Sequence, residues 1–210
     1  MYKSHQPLIS RWAREDSENL RDVMQFVILT VRCPLRRAVG DLHALRSPND
    51  NERDDTERSA LWGWKHEAYS YVEANHEHIH AHLEDLWASS GKPSVVEDAM
   101  LAYVSSLPGF GMVKAGFVLQ IAYGISGCLD SHNVRRYGLD ANAIGAKKAK
   151  VKRPVTRMKH VRNYRRMVET LGGTEALWDT WCAYVAENQP NSYSSAEQVS
   201  ALHAHAFELI

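Results

Sequence analysis

From Leu107 to Leu139 the chain reads LPGFGMVKAGFVLQIAYGISGCLDSHNVRRYGL, a signature that few folds accommodate. A Pro-Gly-x-Gly corner opens directly onto an apolar stretch, Met112 to Gly124, which reads as a buried helix. A turn from Ile125 to Leu129, a lone Asp130 and a short basic helix from about Ser131 follow. Gly109 and Gly111, two apart, let the backbone approach another group with no Cβ in the way. The helix behind them presents unpaired N–H groups and a positive dipole end, whose natural guest is a phosphate. The segment therefore predicts a helix-hairpin-helix that clamps a polyanion backbone beside a carboxylate. The amides near Gly111 and Val113 are the expected phosphate donors, flanked by Phe110, with Lys114 adding charge. Such contacts position DNA without reading its sequence.

The charge distribution points the same way. The formal net charge is zero, yet residues 131–168 hold twelve Lys/Arg against one acid, Asp140. The rest of the chain carries 13 basic and 24 acidic residues. A basic block following the glycine hairpin is the footprint of a polyanion binder. Within it Arg135, Arg136, Lys152 and Arg153 are candidate contacts. The three cysteines, Cys33, Cys128 and Cys182, lie far apart, without zinc or iron–sulfur spacing, and suit a reducing cytoplasm. The apolar run Phe26–Val31 is too short to span a bilayer, and the N-terminal residues show no leader-peptide core.

The remaining periodicity is helical throughout and predicts an all-α class. Helices are expected over Asp22–Val31, ended by Pro34, over Leu35–Leu45, and over Leu61–Trp87 with a break near Asn75. Ser94-x-x-Glu97 reads as a capping box opening a helix to about Ser106. Arg157–Leu171 reads as a basic amphipathic helix ended by Gly172-Gly173, followed by helices over Thr174–Asn188 and Ser195–Leu209, the last with a capping box at Ser194-x-x-Glu197. Ser47–Ser59 and Asp140–Pro154 read as polar loops. The run from Asn75 to His82 contains a formal HExxH (His76, Glu77, His80), but no third ligand is placed and its apolar flanks are thin, so it reads as polar helix surface. Trp62, Trp64, Trp87, Trp178 and Trp181 read as core.

The hairpin and the residues behind it resemble the helix-hairpin-helix DNA glycosylase superfamily, whose members carry an LPGxGxxxA hairpin and a downstream aspartate in a V/L-D-x-H/N pattern. Leu107, Pro108, Gly109, Gly111, Ala115, Asp130 and Asn133 match. The resemblance implies two helical lobes with double-stranded DNA across the cleft and a base flipped into it. It also implies a helix bordering the base pocket around Phe26–Val31, with Arg32 as a candidate to enter the duplex. Val113 stands where bifunctional members place a Schiff-base lysine, and Lys114 comes about 100° further round the helix. The site is thus of the aspartate-only kind. The wording VKAGFVLQIAYG…GCLDSHNVRRYG is closer to the phage thymine-hypermodification branch than to repair glycosylases. Enzymes of that branch displace phosphate or pyrophosphate from a phosphorylated 5-hydroxymethyluracil with an amine or amino acid, glycine being the leading expectation. Asp130 and His132 are then the catalytic candidates, and Asn133, Arg135 and Arg136 the phosphate or carboxylate contacts. No cofactor is implied beyond, at most, a monovalent cation at the hairpin. A monomer acting in the cytoplasm of an infected bacterial host is expected. The alternative within the same superfamily is a monofunctional glycosylase that excises a modified or damaged base.

Overall fold

A computed structural model of the chain describes residues 4–145, 154–188 and 192–210. The fold is all-α, with eleven helices and no strand among the described residues. Two helices are buried on nearly every side over most of their length and occupy the centre. One is α2 (Ser17–Thr30), in which Val23, Met24 and Phe26 to Leu29 are all 0% exposed. The other is α7 (Met112–Tyr123), buried continuously from Ala115 to Tyr123. They pack on each other, and α1 (Gln6–Glu15) covers both. Around α2 lie α3 (Leu35–Leu45) and α5 (Trp64–Trp87); beside α7 lies α6 (Pro93–Val104). Then α9 (Pro154–Thr170) packs on α6, and α10 (Gly173–Asn188) joins α9 to α11 (Ala196–Ala206), which returns to α1 and α3. The short α8 (Ser131–Arg136) follows the turn after α7. No described helix is long and apolar enough to cross a membrane.

Local chemistry explains the boundaries. Asp16 caps α2 by accepting from the Glu18 amide, and Pro34, which cannot continue a helix, becomes the residue from which α3 starts. Gly124, at φ +66, ends α7 in the left-handed region that suits glycine.

Several expectations are corrected. The segment expected as a polar loop, Ser47–Ser59, contains a helix, α4 (Asp50–Ala60). Asn49 caps it, acids occupy its first turn, and Arg53–Asp50 and Arg58–Asp55 pair along its surface. Only Ala60 is buried, so there was no apolar periodicity to read. The helix α1, absent from the sequence reading, starts with Pro7 in its first turn. The long helix α5 is unbroken at Asn75, whose side-chain amide donates to the Tyr71 carbonyl one turn back. Ser94 is not a cap, because α6 begins earlier, at Pro93 after Lys92. The last helix is capped by Ser195, not Ser194, and it closes at Ala206. Of the tryptophans read as core, Trp178 is 1% exposed, but Trp62 is 46% exposed.

A fully buried and a half-buried ionisable group oppose each other in pH. His203 is fully buried among Trp178, Trp181 and Phe26, and burial lowers its imidazole pKa to about 4. The unfolded chain protonates near 6.5, so stability supplied by neutral His203 is lost as pH falls from about 6.5 towards 4. Glu97 acts in the other direction. Burial raises its carboxyl to about 7, with Glu169 and Asp98 adding to the rise and Arg165 opposing it. That contribution is lost as pH rises from about 4.5 to 7. Replacing His203 with Phe should therefore unmask the Glu97 slope. Measured by urea denaturation, the variant should gain on the wild type as pH drops from 7 to 4.5, by at most ~3 kcal/mol. A stability difference that does not change with pH would contradict this.

Candidate functional site

The hairpin forms where the sequence places it. Leu107 accepts from the Phe110 amide, closing the corner, and Gly109 sits at φ +76. A Cβ at Gly109 would collide with Ala68 of α5 and meet Trp64 at 3.3 Å. Gly109 is therefore demanded by the fold itself. Gly111 is different. Its backbone is extended (φ −141), and a Cβ added there meets nothing within 4 Å. Packing does not require a glycine here, and the space beside it is open. Gly111 is also the N-cap of α7, and no side chain caps that helix. Among the described residues nothing fills the space beside Gly111, which is exposed at the start of α7.

The flanking residues separate into two groups. Phe110, expected at the DNA surface, is only 8% exposed and belongs to the core. Val113 is half-buried at the position a Schiff-base lysine would need. The Lys114 ammonium lies 4.4 Å from the centre of the Trp64 ring, so it is held at the hairpin by a cation–π contact.

The turn after α7 is held against that helix by one glycine and two buried polar side chains. Gly116, one turn into α7, lets the Gly127 carbonyl pack directly against the helix; a Cβ there would strike that oxygen and the Tyr164 ring, 2.9 Å away. Tyr164 of α9, fully buried, donates its hydroxyl to Gly127 O (2.8 Å) and accepts from the Leu129 amide (2.9 Å). Gln120 of α7 accepts from the Cys128 amide (3.0 Å) and donates to Thr174 O (3.1 Å). Gly116 lies about 6 Å along the axis from Met112, and Asp130 follows Gly127 by three residues, about 10 Å at full extension. The turn held against α7 thus leads within three residues to Asp130 at the start of α8.

Asp130 is the N-cap of α8. Its Oδ1 accepts from both the His132 amide (3.0 Å) and the Asn133 amide (2.9 Å), which fixes the orientation of the carboxylate. Asn133, expected as a phosphate contact, is 5% exposed and donates to Cys128 O at 2.7 Å. It holds the turn and does not face solvent. His132 is exposed, and its Nδ1 lies 2.7 Å from the Tyr184 hydroxyl of α10. A phenol donating to Nδ1 leaves Nε2 as the protonated nitrogen of the neutral ring. Arg135 and Arg136 are exposed beside it.

The other candidates spread more widely. Lys159, Arg162 and Arg166 are exposed on α9, whereas Arg165 is tied to Asp98 (2.8 Å) and Glu169 (2.6 Å) and serves the α6–α9 contact. Lys152 and Arg153 lie outside the described residues. Arg32 is exposed at the α2–α3 corner with φ +54. In the HExxH, His76 Nδ1 is 2.8 Å from Glu73 O and His80 Nε2 is 3.1 Å from Arg14 O. Among the described residues no three His, Cys, Asp or Glu side chains converge to hold a metal ion. A cavity of about 340 Å³ opens between Arg36, Tyr193, Leu202 and Ile210, and none of the candidate residues lines it.

The sequence reading missed Tyr164, Gln120 and Tyr184. The first two carried a signal. Tyr164 shares a stripe with Val161 and Val168, and Gln120 interrupts an otherwise apolar helix, so both polar ends had to find buried partners. Tyr184 carried none. Compared with known proteins, the chain matches no family model, no curated protein and no solved structure.

Replacing Tyr164 with Phe keeps the ring but orphans a buried amide and a buried carbonyl, and should cost about 2–3 kcal/mol by urea denaturation. Gly111→Asp should do the reverse. It places a favourable cap at an open position and should leave stability unchanged or raise it by about 0.5–1 kcal/mol. A Tyr164→Phe protein as stable as the wild type, or an unfolded Gly111→Asp protein, would contradict the geometry above.

Proposed function

We propose that the chain is a DNA-modifying enzyme of the two-lobed helix-hairpin-helix glycosylase architecture. It binds double-stranded DNA through the hairpin and acts on a flipped-out, phosphorylated 5-hydroxymethyluracil, installing an amino acid or amine as an amino acid:DNA transferase. The observations that support this reading are a helix start at Gly111 with no capping side chain and, on the segment after the same helix, an Asp130 carboxylate oriented by the His132 and Asn133 amides. A fixed set of amides suits a backbone phosphate, and a carboxylate held beside it acts on the base or sugar it presents.

The chemistry assigns each residue a role. An amine attacks only when neutral, so Asp130 accepts a proton from the incoming ammonium. The nitrogen lone pair forms a bond to the exocyclic methylene carbon as the C–O bond to phosphate breaks, and the electron pair leaves with the phosphate. Arg135 and Arg136, exposed and adjacent, receive that leaving group or the amino acid carboxylate through paired guanidinium hydrogen bonds. His132, oriented by Tyr184, keeps its proton and donates a hydrogen bond from Nε2 to the departing phosphate oxygen. Val113 at the Schiff-base position disfavours a lyase route through an imine.

Affinity for duplex DNA should fall steeply with salt, with a log–log slope near −0.9 per phosphate contact, and should depend little on sequence. Gly111→Asp should weaken binding to all duplexes alike, since it places a carboxylate where the phosphate sits. Asp130→Asn should abolish base chemistry while leaving duplex affinity within a few-fold, because the carboxylate matters where charge develops. Salt-insensitive binding, unchanged binding in Gly111→Asp, or a fully active Asp130→Asn enzyme would overturn the proposal.

Borohydride should trap no covalent enzyme–DNA adduct, and no strand cleavage should accompany turnover. An adduct through Lys114 would instead establish a bifunctional lyase.

A further inference from the structure

The turn between α4 and α5 exposes an aromatic side chain that neither the core nor the chemistry above uses. Trp62 is 46% exposed. It stands on a tight corner: Gly63 is at φ +59, and the Lys65 amide donates back to the Trp62 carbonyl (3.2 Å). One side of the indole has the Lys65 ammonium 5.5 Å from the ring centre. Lys65 is itself 2% exposed and anchored to the Leu29 carbonyl at the end of α2 (3.1 Å), so this cation is fixed under the ring. Two residues on, Trp64 packs under the hairpin glycine Gly109 and carries Lys114 on its own ring. The exposed indole is thus joined to the phosphate-facing hairpin through one short, rigid corner.

We propose that Trp62 is a stacking platform for an unpaired nucleobase of the DNA held by the hairpin, a contact that rests on the DNA reading above. Isolated exposed apolar residues are common and need no role. Trp62 differs in having a fixed cation at its ring and, two residues along the same corner, Trp64 packed against the hairpin glycine Gly109. A protein partner is the poorer match. Among the described residues the other large exposed apolar side chains are Val95 and Ile210, on different elements, so Trp62 is not part of an extended patch. A stable protein interface needs about 800 Å² from each partner. One indole face instead matches one base, and stacking of this kind tolerates any base because each has a π-face. Along the chain the nearest charged residues are Arg58 and Lys65, both basic.

The test uses the full chain and three duplexes of one length. One is fully paired, one carries a single-nucleotide bulge, and one carries 2-aminopurine at that bulge. Wild-type protein should prefer the bulged over the paired duplex and quench the 2-aminopurine on binding. Trp62→Ala should lose roughly tenfold in affinity for the bulged duplex, lose the quenching, and keep its affinity for the paired duplex within about twofold. Trp62→Phe should retain most of both signals. A Trp62→Ala protein that keeps the preference and the quenching would overturn this inference alone. A wild-type protein that binds none of the duplexes would overturn the DNA reading, and the inference with it.

Discussion

One tyrosine hydroxyl holds the two halves of the candidate site in register. Tyr164 reaches from α9 to the turn after α7, donating to Gly127 O and accepting from Leu129 N, in the space that Gly116 leaves by having no side chain. Together with Gln120, which accepts from Cys128 N, and Asn133, which donates to Cys128 O, that bridge holds the turn that leads to Asp130. The bond is enclosed, with Tyr164 fully buried. In such surroundings a hydrogen bond is stronger than in water, and leaving a partner unpaired is costly. The same burial raises the phenol's pKa well above its ordinary value, so it remains a donor at any physiological pH.

The two hairpin glycines show how a motif can combine structural and functional demands. Gly109 is fixed by its left-handed backbone and by Ala68 beneath it, and the fold needs it whatever the protein does. Gly111 has neither constraint. Its open flank and the uncapped helix start behind it are features that stability alone would not select, since a capping side chain there would strengthen α7. Departures from local optimisation of this kind concentrate at functional positions. Asp130 is the contrasting case: its carboxylate caps α8, and the proposed chemistry would draw on the same group.

Much of this was legible in the chain. The all-helical class, the hairpin, the buried helix after it and the short basic helix all follow from apolar periodicity and glycine placement. What escaped was written in other terms. The helix α4 buries only Ala60 and exists through its Asn49 cap and surface ion pairs, which hydrophobic periodicity cannot register. Phe110 and Asn133 looked like surface contacts because they sit inside the motif, yet tertiary packing turns the first into the core and the second onto Cys128 O. Arg165 counted as part of a basic block, but its neighbours across space are Asp98 and Glu169. The contact between His132 and Tyr184 joins residues from separate helices, a pairing that one sequence does not reveal. The exposed Trp62 was hidden by composition, since tryptophan is by default a core residue.

The central claim is that this site performs substitution at a flipped, phosphorylated base. It is tested most directly by incubating the protein with duplex DNA containing 5-phosphomethyl-deoxyuridine and glycine, then digesting the DNA to nucleosides for mass spectrometry. The account predicts a nucleoside in which glycine has replaced phosphate on the exocyclic methylene, with the strand intact. Release of the free base with an abasic site left behind, or recovery of the phosphorylated nucleoside unchanged, would contradict it.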